Sequence, residues 1–148
     1  MKVSEAMTPD VKIAGPGQTI RDAARIMAEI DAGSLPVGDN DRLVGMITDR
    51  DITVRAVAQG LGPDTKIRDV MSADVKYCYE DEEVDVVAQN MAEIKVRRLP
   101  VLNRDKRLVG IVSIGDIAMV DGPNAVGEAI CDISEPGGQH SQTGDGRA

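Results

Sequence analysis

The chain has no phenylalanine, no tryptophan and only two tyrosines, Tyr77 and Tyr79. Any core must therefore be packed from Ala, Val, Ile, Leu and Met, and little is left for an aromatic clamp around a base or sugar. Histidine occurs once, as His140 in a polar C-terminal stretch, and the two cysteines, Cys78 and Cys131, lie 53 positions apart with no zinc or redox spacing. Metal chemistry and imidazole acid–base catalysis thus have almost nothing to work with. Nowhere do about 18 apolar residues follow one another, as a membrane span requires, and "MKVSEAMTPDVK" offers no signal-peptide core. A cytoplasmic protein is expected. Positive charge is also in the minority: 17 basic against 25 acidic residues give a net charge of −8. Such a chain repels polyanions, which argues against general nucleic-acid or anionic-membrane binding.

What the chain does contain is a copy of itself. An offset of 64 pairs "MTPDVK" at 7–12 with "MSADVK" at 71–76, "MAEI" at 27–30 with "MAEI" at 91–94, and "LPV" at 35–37 with "LPV" at 99–101. One extra residue near 103–106 then aligns "RLVGMITDRDI" at 42–52 with "RLVGIVSIGDI" at 107–117. The molecule is a tandem duplication of a unit of about 60 residues.

Periodicity gives each unit a plan. Val11–Ile13 and Val75–Tyr77 are expected to be short strands. A helix should follow, burying Ile20, Ala23, Ala24, Met27 and Ile30 in the first repeat and Val84, Val87, Ala88, Met91 and Ile94 in the second. Thr19 and Asp22 are spaced as a capping box. Two apolar runs separated by "GDND" or "NRDK" suggest a hairpin, and a second helix should pass through "RDITVRAVAQG" or "GDIAMV". "GPG" at 15–17 lacks the Lys-Ser/Thr of a phosphate loop and is expected to be a turn. The order is strand, helix, strand, strand, helix. The expected domains are 3–59 and 67–121, joined by a linker at 60–66 and followed by a tail at 122–148, largely disordered after about 132. A unit this small buries only about 60% of its surface alone, so the halves are expected to pack together as a pseudo-two-fold pair.

Both copies keep a hydroxyl and a carboxylate three residues apart where a strand meets a helix: Thr48 with Asp51, and Ser113 with Asp116. One reading is a helix cap. The other is a nucleotide seat, with phosphate at the helix start and ribose on the carboxylate.

With "LPV", "RLVG" and [ST]-x-x-D-I each present twice and in order, after "MTPDV" and "MSADV", residues 3 to 120 resemble the CBS domains, modules named after cystathionine β-synthase that occur in tandem pairs. The resemblance implies an α/β (α+β) fold of two β-α-β-β-α repeats and two clefts that bind adenosine ligands. One cleft would use Ser113, Asp116, Arg97, Arg98 and Ile111 with Lys12, Ala32 and Gly33. The other would use Thr48, Asp51 and Met46 with Lys76, Val96 and Arg97, and Arg50 could supply a cation where Ser34 replaces the matching Arg98. The implied function is a sensor of an adenine nucleotide, AMP first, with ADP, ATP or NAD as alternatives. It would need no cofactor, form a homodimer and act on an unidentified protein in trans. Two other readings compete with it: a dimeric interaction scaffold that binds no nucleotide, and an enzyme, which the missing metal cluster, nucleophile elbow and second histidine disfavour.

Overall fold

The computed structural model describes residues 1–121 and 123–134. Helix α1 (Val3–Ala6) and strand β1 (Thr8–Pro9) open the chain, followed by α2 (Ile20–Ile30), β2 (Ser34–Asp39) and β3 (Arg42–Thr48). A helical segment begins as α3 (Asp49–Asp51) and continues through a π-helical turn (Ile52–Ala56) and a 3-10 turn (Val57–Gln59). After another 3-10 turn (Ile67–Asp69) come β4 (Cys78–Tyr79), α4 (Val84–Ile94), β5 (Arg98–Leu102), β6 (Leu108–Ser113), α5 (Ile114–Asp121) and α6 (Pro123–Ile133).

Local chemistry accounts for the main boundaries. Thr19 accepts from Asp22 N while Asp22 reaches back to Thr19 N, closing the predicted capping box. Helices α2 and α4 both stop at a left-handed residue, Asp31 (φ 54°) and Lys95 (φ 57°). The β2–β3 hairpin turns on Asn40 and Asp41, with φ of 53° and 64°, the pair of positive values that a two-residue turn of type I′ needs.

Two compact units emerge, and they exchange their opening segments relative to the sequence repeats. One comprises Met1–Asp10, Tyr77–Arg104 and the chain from Val109 onward; the other comprises Val11–Lys76 and Asp105–Leu108. The exchange is visible bond by bond. Thr8, from the start of the first repeat, pairs antiparallel with Ile111 of β6, while Ser72, from the start of the second, bridges Met46 of β3. The first helical N–H of α4 at Val84 donates to Met1 O, and that of α2 at Ile20 donates to Thr65 O. The inner parallel strands stay at home: Cys78 pairs with Val101, and Ala14 with Val37.

The repeated glycine of "RLVG" is explained by this exchange. A Cβ on Gly110 would lie 2.6 Å from Met7 Sδ and 2.8 Å from Thr8 O. On Gly45 it would lie 2.7 Å from Met71 Sδ and 2.8 Å from Ser72 O. Each glycine lets the exchanged methionine segment cross the hairpin closely.

Each unit has an aliphatic core. Val3, Val84, Val87, Met91, Val101, Val112 and Ile117 are fully or almost fully buried in one, and Leu35, Val37, Ile47, Ile67 and Val70 in the other. Several expectations need correction. The opening strands form at Ala14 and at Cys78–Tyr79 rather than at Val11–Ile13 and Val75–Tyr77, because the residues that face β2 and β5 lie slightly later. Ala24 is exposed, as are Ile30 (37%) and Ile94 (39%) at the ends of their helices. Within the segment expected as a tail at 122–148, α6 starts on a proline. Val126 and Ala129 of α6 join the core that buries Ala88 and Ala92 on α4. Their repeat partners Ala24 and Ala28 on α2 are exposed. The expected disorder lies mostly in 135–148, outside the described residues.

Candidate functional site

In the second repeat, β6 delivers Ser113 to the start of α5. Asp116 N donates to Ser113 Oγ at 3.0 Å and Ser113 N donates to Asp116 Oδ2 at 2.9 Å, so the hydroxyl and carboxylate are held by each other's backbone. The cap occupies one carboxylate oxygen and one lone pair of the hydroxyl. Asp116 Oδ1 and the hydroxyl proton take no part in the cap. Ile114 N donates to Arg97 O at 2.9 Å, which ties the segment before "LPV" to the helix start. Arg97 and Arg98 are exposed, and Ile111 is half-buried two residues before Ser113.

The first repeat builds the same frame with different chemistry. Asp51 N donates to Thr48 Oγ1 and Thr48 N to Asp51 Oδ2, each at 3.0 Å, and Asp49 N donates to Gly33 O at 2.9 Å. Here the first helical residue carries a carboxylate. Asp49 Oδ1 accepts from Arg50 N at 2.8 Å, and its Oδ2 would stand 2.7 Å from a Cβ at position 33, so Gly33 and Asp49 are sterically matched. Ser34 lies directly across the hairpin from Thr48, and its Oγ is buried without a hydrogen-bond partner among the described residues. Arg55 Nη1 sits 3.9 Å from Asp51 Oδ1 and donates to Met71 O at 3.2 Å. Arg50, expected from the sequence to supply a cation in place of the missing Arg98 counterpart, is exposed, as Arg97 and Arg98 are.

The structure therefore gathers Met46, Thr48, Arg50, Asp51 and Lys76 in the unit of the first repeat, along with Lys12, Ala32 and Gly33. It gathers Val96, Arg97, Arg98, Ile111, Ser113 and Asp116 in the other. The residues expected in each cleft are thus divided between the two units. Asp49 and Arg55 were not among the site residues expected from the sequence. The acidic residue inside "TDRD" was the available signal for Asp49, whereas the approach of Arg55 to Asp51 depends on the helical turn between them. Among the described residues no group of three His, Cys, Asp or Glu side chains is placed to hold a metal, and no described helix is long and apolar enough to cross a membrane.

The paired hydroxyl–carboxylate frames coincide with two matches to the CBS-domain family model, at residues 3–57 and 67–121. The chain belongs to the CBS-domain family. Among curated relatives, the CBS domain-containing protein YhcV of Bacillus subtilis is 38% identical over 133 residues, covering 89% of this chain and 94% of that protein. Among solved structures, Hypoxic Response Protein I with two coordinated zinc ions matches with a TM-score of 0.74 at 38% identity, over 81% of this chain and 98% of the other. The CBS domain pair of protein MJ0100, solved with 5′-methylthioadenosine and S-adenosyl-L-methionine, matches at 0.72 and 32% identity over 82% and 96%. CBSX2 in complex with AMP matches at 0.70 and 26% identity over 80% and 93%. These neighbours agree with a mixed α/β tandem CBS pair.

Proposed function

We propose that this CBS pair is a regulatory module that binds an adenine nucleotide and passes its occupancy to a partner protein in trans. AMP is the leading ligand, with ADP, ATP and NAD as alternatives. The reading includes a homodimer in the cytoplasm and no catalytic activity. The observation that carries it is the Ser113–Asp116 frame, whose spare carboxylate oxygen suits ribose hydroxyls and whose neighbours Arg97 and Arg98 suit a phosphate. Ligand complexes of the related MJ0100 and CBSX2 support an adenosine ligand. The binding set is Ser113, Asp116, Arg97, Arg98 and Ile111, completed by Lys12, Ala32 and Gly33. A second site would use Thr48, Arg50, Asp51, Met46, Lys76, Val96 and Arg97. Binding can shift the protein only by its differential affinity for two arrangements, about 1–3 kcal/mol of coupling in typical cases.

The closed caps favour a second reading, in which the pair is a scaffold and both motifs only start helices. Calorimetric titration with AMP separates the two. For the sensor, Asp116→Ala lowers affinity by about 1–3 kcal/mol, the cost of losing a charged hydrogen-bond partner. For the scaffold, the wild type gives no binding heat, and the same substitution costs only about 1 kcal/mol of stability.

A further inference from the structure

The two frames differ where a ligand's 5′ substituent would meet the helix start. Beside Ser113, the first helical residue is Ile114, which has no acceptor, the second is Gly115, and the segment before "LPV" supplies Arg97 and Arg98. Beside Thr48, the first helical residue is Asp49, and its carboxylate already sits on Arg50 N at 2.8 Å. The segment before "LPV" there is Gly33–Ser34, and Asp49 Oδ2 fills the space that a side chain at 33 would take. An anion thus stands at the first helical position of the second frame, where Arg55 lies one turn on, 3.9 Å from Asp51 Oδ1 and bonded to Met71 O. The first frame has no acidic residue at that position and carries Arg97 and Arg98 in the segment before "LPV". A further polar group in the second frame, the buried Ser34 Oγ opposite Thr48, has no hydrogen-bond partner among the described residues and is uncharged.

We infer that Asp49 sets the ligand class of the Thr48–Asp51 half-site: it rejects phosphate and admits an adenosine compound whose 5′ substituent is neutral or cationic, a thioether or sulfonium. This rests on the adenosine-binding reading above and assigns the phosphorylated ligand to the Ser113–Asp116 half-site alone. The contrast is electrostatic. A phosphate beside the Asp49 carboxylate meets a like charge and finds the Arg50 N–H already taken, whereas a sulfonium there meets an opposite charge.

The test uses the full chain, with 5′-methylthioadenosine and AMP as probes in calorimetric titrations. Asp116→Ala weakens the phosphate-binding half-site, so the titration of that variant reports the other. It is expected to bind 5′-methylthioadenosine at about one per chain and AMP at least tenfold more weakly. Adding Asp49→Asn, which keeps an Oδ1 acceptor for Arg50 N but removes the charge, should tighten AMP by about tenfold and move 5′-methylthioadenosine by less than about twofold. Asp49→Ile, the residue of the matching position, should tighten AMP at least as much. The gap between AMP and 5′-methylthioadenosine affinity in Asp116→Ala should also narrow as salt is raised. Equal affinity for both probes in Asp116→Ala overturns the inference, as does an AMP affinity that neither Asp49 variant moves, or an Asp116→Ala protein that binds neither probe. If the wild type binds AMP while these arms fail, only the role of Asp49 falls. If the wild type binds neither probe, the adenosine-binding reading falls with it.

Discussion

Replacing Gly110 with alanine tests the exchanged architecture directly. The new Cβ would stand 2.6 Å from Met7 Sδ, 3.1 Å from Met7 Cγ and 2.8 Å from Thr8 O. The thioether can swing away at small cost, but Thr8 O belongs to a residue paired with Ile111 in β6 and can retreat only by loosening that pairing. Forcing an extra methyl into such a contact costs about 1–3 kcal/mol. With a urea m-value of about 2 kcal/mol/M, the unfolding midpoint should fall by roughly 0.5–1.5 M. Met7→Ala in the same chain removes the sulfur clash and leaves the carbonyl clash, so it should rescue only part of the loss. Gly62→Ala is the control: nothing lies within 4 Å of its Cβ, and alanine there should be neutral or stabilising by up to about 1 kcal/mol. Equilibrium urea unfolding followed by circular dichroism measures all of these. A Gly110→Ala midpoint within about 0.2 M of wild type would refute the close crossing of Met7–Thr8 over β6, and with it the exchange of opening segments.

Three further outcomes are expected. The buried Cys78 thiol is pushed up to about 12, chiefly by desolvation, while Cys131 is exposed on α6; iodoacetamide at neutral pH should label Cys131 in the native protein and reach Cys78 only after unfolding, as peptide mass spectrometry will show. Arg104 grips Asp81 through two bonds of 2.9 and 2.8 Å and stacks over Tyr79 at 4.1 Å. Its hydrogen bonding holds the Asp81 carboxyl below the usual range. The pair therefore contributes stability above the ordinary carboxylate pKa and loses it as pH falls through the depressed value. In NMR titrations Arg104→Gln should return Asp81 to the usual range, and an unmoved titration would remove this cause. Ser113→Ala deletes an acceptor for Asp116 N and should lower stability by about 1 kcal/mol, or Tm by roughly 3 °C in a calorimetric scan; an unchanged Tm would mean the cap carries no stability.

Much of the molecule was legible because repetition acts as an internal alignment. The equal spacing of Val84, Val87 and Met91 with Ile20, Ala23 and Met27 marks α4 and α2 in the sequence, and all six side chains are buried. The polar breaks marked the hairpins, and Thr48–Asp51 and Ser113–Asp116 stood where each strand runs into a helix. The less legible features depend on partners distant in the chain. Ala24 and Ala88 occupy equivalent positions in the repeat, yet only Ala88 is covered, because α6 lies on its helix and nothing described covers Ala24. No periodicity within α2 could report that difference.

The sequence by itself determined the duplication, the order of elements in each repeat, and the type and spacing of the residues that make the two frames. Those are properties of neighbours within a few turns or one hairpin, where helix and strand periods and capping rules apply. Tertiary structure alone decided which repeat each opening segment joins, and so why Gly45 and Gly110 must lack a side chain. It also decided that Asp49 turns its carboxylate onto its own helix start and closes over Gly33. The exchange and the approach of Asp49 to Gly33 depend on contacts between residues more than ten positions apart, whose side-chain directions a linear pattern does not encode.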